Sequence, residues 1–398
     1  MRVAFISDTH LGFSKHKVEL DSYIYAEQAL KIAKEKADLI VLPGDIFDSS
    51  SPGEDCLSKA FSILQIFKGF ESKAKMIGVV DRRQHNSQIT LGMPIVAIPG
   101  THEYKLKEDG PLEVLENAGY LVCLHAGYCK IQKGEEIVNI FGMKGVPEQV
   151  ARDALKKLSF IPQDGKNILV LHQSFKELLP FNDEMVATLE YKDLPSGFDL
   201  YVNGHIHQHK TFELDSGVFL IPGSTINTQV RKSEIKHRKG FVVYDTESKN
   251  VEFVEIPIQR QYKYLELDVS NGLEDQEIIF DGLKPVSYSL FGKEVVLEPY
   301  VKVKIVGEID EHKKNILQTI KKRDGFIIDV EKDLSVIEQK IKDIDLKAIR
   351  DGAITTAENV FFDNLYSSGF KKSFDLKQVF EYLKEEKPDK VMEHLEKD

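Results

Sequence analysis

Residues 199–209 read DLYVNGHIHQH, an apolar run that ends in a glycine and three alternating histidines, His205, His207 and His209. If the strand continued through them, the three imidazoles would lie on one face, because side chains alternate along a strand. One hypothesis is a polar loop after a strand. The other is a metal site, since imidazole is the commonest metal ligand in proteins.

Composition restricts the class of protein but not its activity. The chain has 398 residues, 42% hydrophobic and 29% charged, with a net charge of −11. The length predicts two or three domains, and the three scattered cysteines favour a reducing, cytoplasmic location over a disulfide framework. No apolar run approaches the roughly 20 residues of a membrane helix, and no signal peptide is visible. The acidic charge disfavours nucleic-acid binding, unless a local basic face exists.

The first 258 residues repeat a pattern of apolar runs, turns and helical stretches. Helical spacing predicts helices at 19–36, 54–68 and 147–158, the last with Pro147 in its first turn. The apolar runs lack alternation, as in strands buried on both faces, and the succession of strands and helices predicts a layered α/β core. The predicted strands are 3–7, 38–44, 94–100, 120–125, 138–142, 167–172, 199–204 and 218–223, followed by a hairpin at 241–256.

The sequence changes character after Pro257. Strand-like runs at 262–269, 300–307 and 326–330, with a helix near 310–322, predict a small α+β unit. From residue 336 the chain is rich in lysine and glutamate and predicted helical. One apolar face at 376–383 would either dock a partner helix or pack on its own domain. We therefore predict domains at 1–258, 259–335 and 336–398.

Polar side chains follow the predicted core strands where each strand ends. In open α/β sheets, sites form at the carboxyl ends of the strands. Burying carboxylates and imidazoles without partners costs free energy, and a pair of divalent cations would act as their partners. The residues are Asp8 and His10 after the first run, Asp45 and Asp48 after the second, Thr101 and His102 after the third, His172 at the end of 167–172, and His205 and His207 after 199–204.

The ordered set DxH, GDxxD, GxHE, H and GHxH resembles the calcineurin-like metallophosphoesterase superfamily. DTHLGF (8–13), GDIFDSSSP (44–52), PLEVLENAGY (111–120) and PGS (222–224) are similar to the SbcD-type double-strand-break repair nucleases, the family of the archaeal and eukaryotic Mre-eleven subunit. That resemblance implies a metallophosphoesterase sandwich, two mixed β-sheets flanked by helices, with a small α+β capping domain. It also implies a helical tail that docks a coiled-coil ABC/SMC-type ATPase, and a homodimer.

The resemblance also implies a role for each matching residue. Asp8, His10, Asp45 and His207 would hold one metal ion, and Asp45 would bridge to a second ion held by His172 and His205. His102 would protonate the leaving oxygen as the general acid. The ions expected are Mn²⁺, or Mg²⁺, since mixed imidazole–carboxylate shells suit manganese. His209 is expected to be a surface histidine, with a contact to substrate phosphate as the alternative.

Thr101 departs from the family pattern, in which an asparagine binds the second metal. A hydroxyl is a poorer ligand than an amide oxygen, so the second site would be weaker or completed by water. For Asp48 the hypotheses are support of His10 or His102 and a turn role. His16 would contact substrate phosphate or lie on a solvated loop. The segment 81–85 would be a basic loop near the DNA groove or a solvated surface loop.

The function expected is metal-dependent hydrolysis of DNA phosphodiesters by a metal-bridging hydroxide, with DNA ends, double- or single-stranded, as substrate. Two alternatives remain. One is a small-molecule phosphodiesterase or phosphoprotein phosphatase on the same scaffold. The other is a DNA-end-binding scaffold subunit with weakened nuclease activity.

Overall fold

The computed structural model describes residues 1–15, 18–81, 92–104, 110–179, 188–215, 217–268, 280–306 and 323–332. The strands are β1 (Arg2–Phe5), β2 (Leu39–Leu42), β3 (Lys75–Val80), β4 (Ile95–Ala97), β5 (Val122–Cys123), β6 (Ala126–Lys133), β7 (Glu136–Met143), β8 (Lys166–Leu171), β9 (Leu200–Asn203), β10 (Lys210–Leu214), β11 (Gly217–Ile221), β12 (Gly240–Asp245), β13 (Val251–Glu255), β14 (Tyr262–Asp268), β15 (Val286–Leu290), β16 (Lys293–Leu297), β17 (Tyr300–Val306) and β18 (Ile327–Lys332). The helices are α1 (Asp21–Lys36), α2 (Glu54–Leu64), α3 (Pro111–Asn117) and α4 (Glu148–Leu158).

Two large mixed sheets form the core. One has the order β13-β12-β1-β2-β4-β5, and the other β10-β11-β9-β8-β7-β6-β3. In the first sheet β1, β2, β4 and β5 run parallel, and in the second β7, β8, β9 and β11 do. Parallel strands end at the same edge of a sheet, so the loops after them gather there.

The layers follow from the alternation of side chains along the strands. On β1, Val3 and Phe5 face a core shared with apolar residues of β8 and β9, whereas Ala4 belongs to a second core with α1 and α2. A third core packs α4 on the outer side of the second sheet. Because both faces of each central strand are covered, the apolar runs show no alternation. The predicted sandwich of two mixed sheets flanked by helices is confirmed.

The chain divides into two compact units. The first comprises 1–266, 273–303 and 311–330 and carries every element discussed below. Of the second, which comprises 267–272, 304–310 and 331–398, the structure describes only strand ends. The boundary at 258 stays a prediction. The predicted helix near 310–322 and the tail 336–398 lie outside the described residues, and so do the four basic and polar residues 82–85.

Most predicted core elements are present, with local differences. The predicted helix 54–68 ends as an α-helix at Leu64 and continues as a 3-10 turn over Gln65–Phe67. Pro147 precedes α4 rather than lying in its first turn. The histidines of 205–209 lie in the loop between β9 and β10, not in a continued strand, so strand alternation does not orient them. No helix among the described residues is long and apolar enough to cross a membrane.

Candidate metal centre

Six predicted metal-binding side chains come together in two groups at the carboxyl ends of the parallel strands. The first donor group consists of Asp8, His10 and His207, and the second of Asp45, His172 and His205. Within each group the potential ligand atoms lie within 4.8 Å of one another. Both groups could hold a metal ion, and Asp45, which the resemblance assigns to both ions, lies in the second group.

In the first donor group two imidazole nitrogens face each other beside a carboxylate. His10 Nε2 lies 3.4 Å from His207 Nε2, and His207 Nε2 lies 3.7 Å from Asp8 Oδ1. The aspartate exposes none of its surface and His10 exposes 2%. Asp8 also accepts the backbone N–H of His205 at 3.1 Å, which ties the first donor group to the second.

The backbone of the donor residues is held in an uncommon conformation. Asp8, His10, Asp45 and His205 have φ values of 52°, 45°, 49° and 73°. They are four of the seven non-glycine residues with positive φ in the part of the chain that the structure describes. Such conformations cost about 1–3 kcal/mol each and concentrate at functional sites. The strain therefore coincides with the predicted ligands.

Hydrogen bonds assign the tautomers of the first donor group. His10 Nδ1 donates to Asp48 Oδ1 at 3.1 Å, which leaves Nε2 with a lone pair. His207 Nδ1 contacts Thr228 Oγ1 at 3.0 Å and lies 3.8 Å from Glu234 Oε1, so the Nδ1 proton has acceptors there. The nitrogens 3.4 Å apart then both present lone pairs, an arrangement that a cation between them stabilises.

His205 is oriented by a short chain of hydrogen bonds. Ser174 donates to Glu148 Oε1 at 2.5 Å, so its oxygen is left to accept the proton on His205 Nε2 at 3.2 Å. The free lone pair of His205 is therefore on Nδ1. Ser174 and Glu148, together with Thr228, had no predicted role. A polar residue two positions after His172 and an acidic residue opening α4 are the signals that could have suggested Ser174 and Glu148.

His172 provides the test of whether the residues fit a metal ion. Its Nδ1 donates to the carbonyl oxygen of Pro43 at 2.7 Å, and its buried Nε2 has no hydrogen-bond partner among the described residues. Nε2 nevertheless lies 3.1 Å from Asp45 Oδ2. Two acceptors at that distance repel each other unless a proton or a cation lies between them. A divalent cation would bind both, so the donor set fits a metal ion.

The pKa values of this pair show the same need for positive charge. Burial alone would lower the pKa of His172, but the carboxylates of Asp45 and Asp8 raise it to about 10. Burial alone would raise the pKa of Asp45, but the charge of His172 and the N–H of His102 hold it well below its usual value. Without a metal ion, a proton on His172 balances the buried carboxylate.

Glu103 positions two of the site loops and had no predicted role. Its carboxylate is buried and accepts backbone N–H groups from Asp45 at 3.1 Å, Phe47 at 2.7 Å and Gly100 at 2.8 Å. Burial raises the pKa of Glu103 to about 7, with the charge of Asp45 adding to the shift and the N–H groups opposing it. The loops after β2 and β4 are thereby joined to each other.

His102, Thr101 and Asp48 lie at the open side of the centre. His102 is exposed, donates from Nδ1 to the carbonyl oxygen of Asp48 at 3.0 Å, and places Nε2 4.0 Å from Asp45 Oδ2. The Thr101 hydroxyl lies 3.3 Å from Asp45 Oδ2 and donates to that carboxylate. Asp48 contacts the imidazoles of both His10 and His102.

The two remaining histidines considered from the sequence are His16 and His209. His16 lies outside the described residues. His209 is half-buried rather than a simple surface histidine: its Nδ1 donates to the carbonyl oxygen of Ile221 at 2.8 Å and its ring stacks on Phe253.

The sandwich and its two donor groups define a phosphoesterase fold with a candidate metal centre. Residues 1–209 match the model of the calcineurin-like phosphoesterase family, and the chain belongs to that family. The resemblance predicted from the motifs is confirmed.

Among curated proteins, the chain is similar to the DNA double-strand break repair protein Mre11 of Sulfurisphaera tokodaii, at 30% identity over 66% of this chain and 64% of that protein. It is 28% identical to Mre11 of Archaeoglobus fulgidus over 74% of this chain and 66% of that protein. It is also 24% identical to a component of the nuclease SbcCD of Staphylococcus epidermidis, over 76% of this chain and 82% of that protein. The chain spans less than two thirds of the length of these two archaeal relatives.

Proposed function

We propose that this protein is a metal-dependent DNA nuclease that processes DNA double-strand breaks together with a coiled-coil ABC-type ATPase. The observation that carries the proposal is the convergence of two imidazole–carboxylate donor groups in a calcineurin-like phosphoesterase. The names of the similar proteins, a double-strand break repair protein and a component of a nuclease, support the choice of DNA as substrate.

Each donor group would hold one divalent ion, Mn²⁺ being favoured by the mixed imidazole and carboxylate ligands. Asp8, His10 and His207 would hold the first ion, and Asp45 would bridge to the second, held by His172, His205 and the weaker ligand Thr101. Bound ions would lower the pKa of a coordinated water and neutralise charge on the phosphoryl oxygens.

His102 is the proposed general acid. Because its Nδ1 proton is donated to the carbonyl oxygen of Asp48, a proton gained at Nε2 is the one available for transfer. Nε2 lies on the side of the ring that faces Asp45, and the side chain is open to solvent and substrate. His102 would pass this proton to the departing sugar oxygen. Asp48 would position His102 and His10, and His16 is proposed to contact substrate phosphate.

The test is Mn²⁺-dependent degradation of linear double- and single-stranded DNA, compared with hydrolysis of a simple aryl phosphodiester. Asp8→Asn should abolish both activities. The matched control Asp55→Asn, on the exposed side of α2, should retain them. Hydrolysis of the aryl ester without degradation of DNA would instead identify a small-molecule phosphodiesterase.

A DNA-end-binding scaffold with weak chemistry is the second candidate, and Thr101 is the observation that favours it. Its hydroxyl donates to Asp45 where the family pattern has an amide oxygen as ligand. DNA binding without hydrolysis at any Mn²⁺ concentration would establish this candidate.

The assembly proposed is a homodimer bound to the ATPase through the tail 336–398, with a cytoplasmic, nucleoid-associated location in a prokaryote and no membrane contact. The proposed domains are the nuclease core 1–258, a DNA-capping domain 259–335 and the tail. Co-purification of the ATPase with the full chain, but not with a chain ending at residue 335, would support this docking. Equal recovery with both chains would refute it.

A further inference from the structure

A pocket of about 260 Å³ lies beside the first donor group. It is formed by three segments, 207–209, 222–224 and 236–239, together with Phe253. His207 belongs both to this pocket and to the first donor group. A ligand in the pocket would therefore lie next to any group bound at the metal centre.

The pocket carries positive charge on a protein that is acidic overall. Lys236, Arg238 and Lys239 line it, and none of the described residues that line it is acidic. Lys236 and Arg238 are exposed, and the Lys236 ammonium group makes no hydrogen bond or ion pair with any residue that the structure describes. Arg238 is 2.9 Å from Glu255, an exposed pair of the kind that contributes little and exchanges readily. Two cations are thus available to an anion.

The floor of the pocket is fixed to the metal centre. Buried Lys239 donates to Ser224 Oγ at 2.9 Å and to the carbonyl oxygen of His207 at 3.4 Å, and its charge is paired with Glu234 at 3.3 Å. Gly223 has a φ of +82°, and a Cβ there would lie 2.8 Å from His209 N. The turn 222–224 can approach the histidine loop this closely only because residue 223 is glycine.

One wall of the pocket is a flat pair of rings. His209 stacks on Phe253 with ring centroids 4.8 Å apart and an interplanar angle of 22°. The bond from His209 Nδ1 to Ile221 fixes the imidazole in place. Proteins that bind single nucleic-acid strands combine rings, which contact bases or sugars, with cations, which contact phosphates.

We infer that this pocket binds a backbone phosphate of a polynucleotide strand next to the phosphate at the metal centre, through Lys236 and Arg238. The inference rests on the proposed function and deepens it, because a small diester has no second phosphate to place there. Binding would not depend on the base sequence, since none of the contacts described distinguishes one base from another.

Binding of labelled single- and double-stranded oligonucleotides in EDTA tests the inference without requiring catalysis. The double variant Lys236→Gln/Arg238→Gln should bind about tenfold more weakly, and the slope of log K against log salt should fall by about 1 to 2. The control Arg231→Gln/Lys232→Gln removes the same charge from exposed positions a few residues earlier in the chain that do not line the pocket. The charge-conserving variant Lys236→Arg/Arg238→Lys should restore most of the binding.

Hydrolysis of an aryl phosphodiester with Mn²⁺ separates this inference from the proposed function. The double variant should keep the unsubstituted rate on that substrate. Equal DNA binding by the double variant and the control, or no polynucleotide binding by the unsubstituted protein, would overturn the pocket assignment. DNA binding that depends on Lys236 and Arg238 in a protein that degrades no DNA would support the pocket and refute the nuclease.

Discussion

Asp21 and Asp45 each expose 2% of their surface, yet their surroundings differ. Asp21 opens α1 and receives two bonds from the Arg260 guanidinium, from Nε at 2.8 Å and Nη2 at 2.7 Å. Tyr262 donates to it at 3.2 Å, and Tyr25 OH accepts the backbone N–H of Arg260 at 2.7 Å. We call Asp21, Tyr25, Arg260 and Tyr262 the Asp21 cluster. Its charges are balanced by the chain itself.

Asp45 lies instead in a centre that is balanced only when a cation is bound or His172 takes up a proton. The lone pair of His172 Nε2 faces the Asp45 carboxylate, and those of His10 and His207 face each other. The two sites bury aspartates equally, but only the Asp21 cluster has a permanent counter-charge, the Arg260 guanidinium. Among buried polar groups, incomplete pairing rather than burial therefore distinguishes the candidate functional site.

The largest expected effect is on kcat and concerns His102, the exposed residue of the centre. The Asp21 cluster has no equivalent of this residue. His102→Ala should lower kcat on DNA by about 10² to 10⁴-fold, the usual contribution of a general acid, while leaving the Kd for Mn²⁺ nearly unchanged. Loss on an aryl phosphodiester should be smaller, because an aryl oxide leaves without protonation. Equal losses on both substrates would contradict the general-acid role.

The second prediction compares Asp21→Asn with Asp45→Asn, each of which replaces one carboxylate oxygen by an amide nitrogen. Asp21→Asn leaves the Arg260 guanidinium buried without a counter-charge and should lower the free energy of unfolding by about 3–5 kcal/mol. Asp45→Asn should cost much less in EDTA, because His172 can release its proton when the carboxylate is lost, so no charge is left buried without a partner.

Addition of Mn²⁺ should separate the two variants in the opposite sense: Asp21→Asn should gain stability from the ion, and Asp45→Asn should gain little. At a hundredfold excess over Kd, the unsubstituted protein and Asp21→Asn should gain about 2.7 kcal/mol per site, and Asp45→Asn much less. Denaturant unfolding with Mn²⁺ and with EDTA measures both differences. A larger loss for Asp45→Asn than for Asp21→Asn in EDTA would show that loss of a proton from His172 does not compensate for loss of the carboxylate.

The same difference explains what the sequence could predict. Strands such as β2 and β8 are predictable because burial on both faces requires continuous apolar runs. The gathering of Asp8, Asp45 and His172 follows from the rule that parallel strands end at one edge. By contrast β6, AGYCKIQK, mixes lysines with apolar residues because five of its eight residues are only partly buried, and no strand was predicted there.

The partners that orient the imidazoles could not be predicted. Ser174 and Thr228 act on His205 and His207 from loops 31 and 21 residues away along the chain. Glu103 is placed by three backbone N–H groups from two loops, and no spacing in the sequence encodes such contacts. The Asp21–Arg260 pair joins residues 239 apart and has no local signal either.

The third prediction concerns the chain that orients His205. In Ser174→Ala, and less severely in Glu148→Gln, the Nε2 proton of His205 loses its acceptor, so Nδ1 is presented in a less defined tautomer and orientation. The Kd of the more weakly bound Mn²⁺ should rise by about 10 to 100-fold, as for other residues that orient metal ligands. Calorimetric titration should show this change in one binding step and not in the other.

Ser62→Ala is the matched control, because the Ser62 hydroxyl donates to the carbonyl oxygen of Ser58 within α2, on the exposed surface of that helix. It should leave both steps unchanged. If Ser174→Ala behaves like this control, the hydrogen bonds of Ser174 do not orient a ligand.

The smallest expected effect sharpens the comparison at Asp45 itself. The Thr101 hydroxyl donates to the Asp45 carboxylate at 3.3 Å and thereby balances part of its charge, as Tyr262 does for Asp21. Thr101→Asn would add an amide oxygen, an acceptor, so the centre should depend more on a cation and bind it better. We expect the Mn²⁺ activation curve to move to concentrations about 3 to 10-fold lower, with kcat at saturation unchanged.

Because an amide NH₂ group can also donate to Asp45, Thr101→Val is the necessary companion: it removes the donor without adding a ligand. If Thr101→Asn and Thr101→Val have identical curves, the gain comes from loss of the Thr101 hydroxyl as a donor to Asp45 alone. If neither moves the curve, residue 101 takes no part in binding the metal.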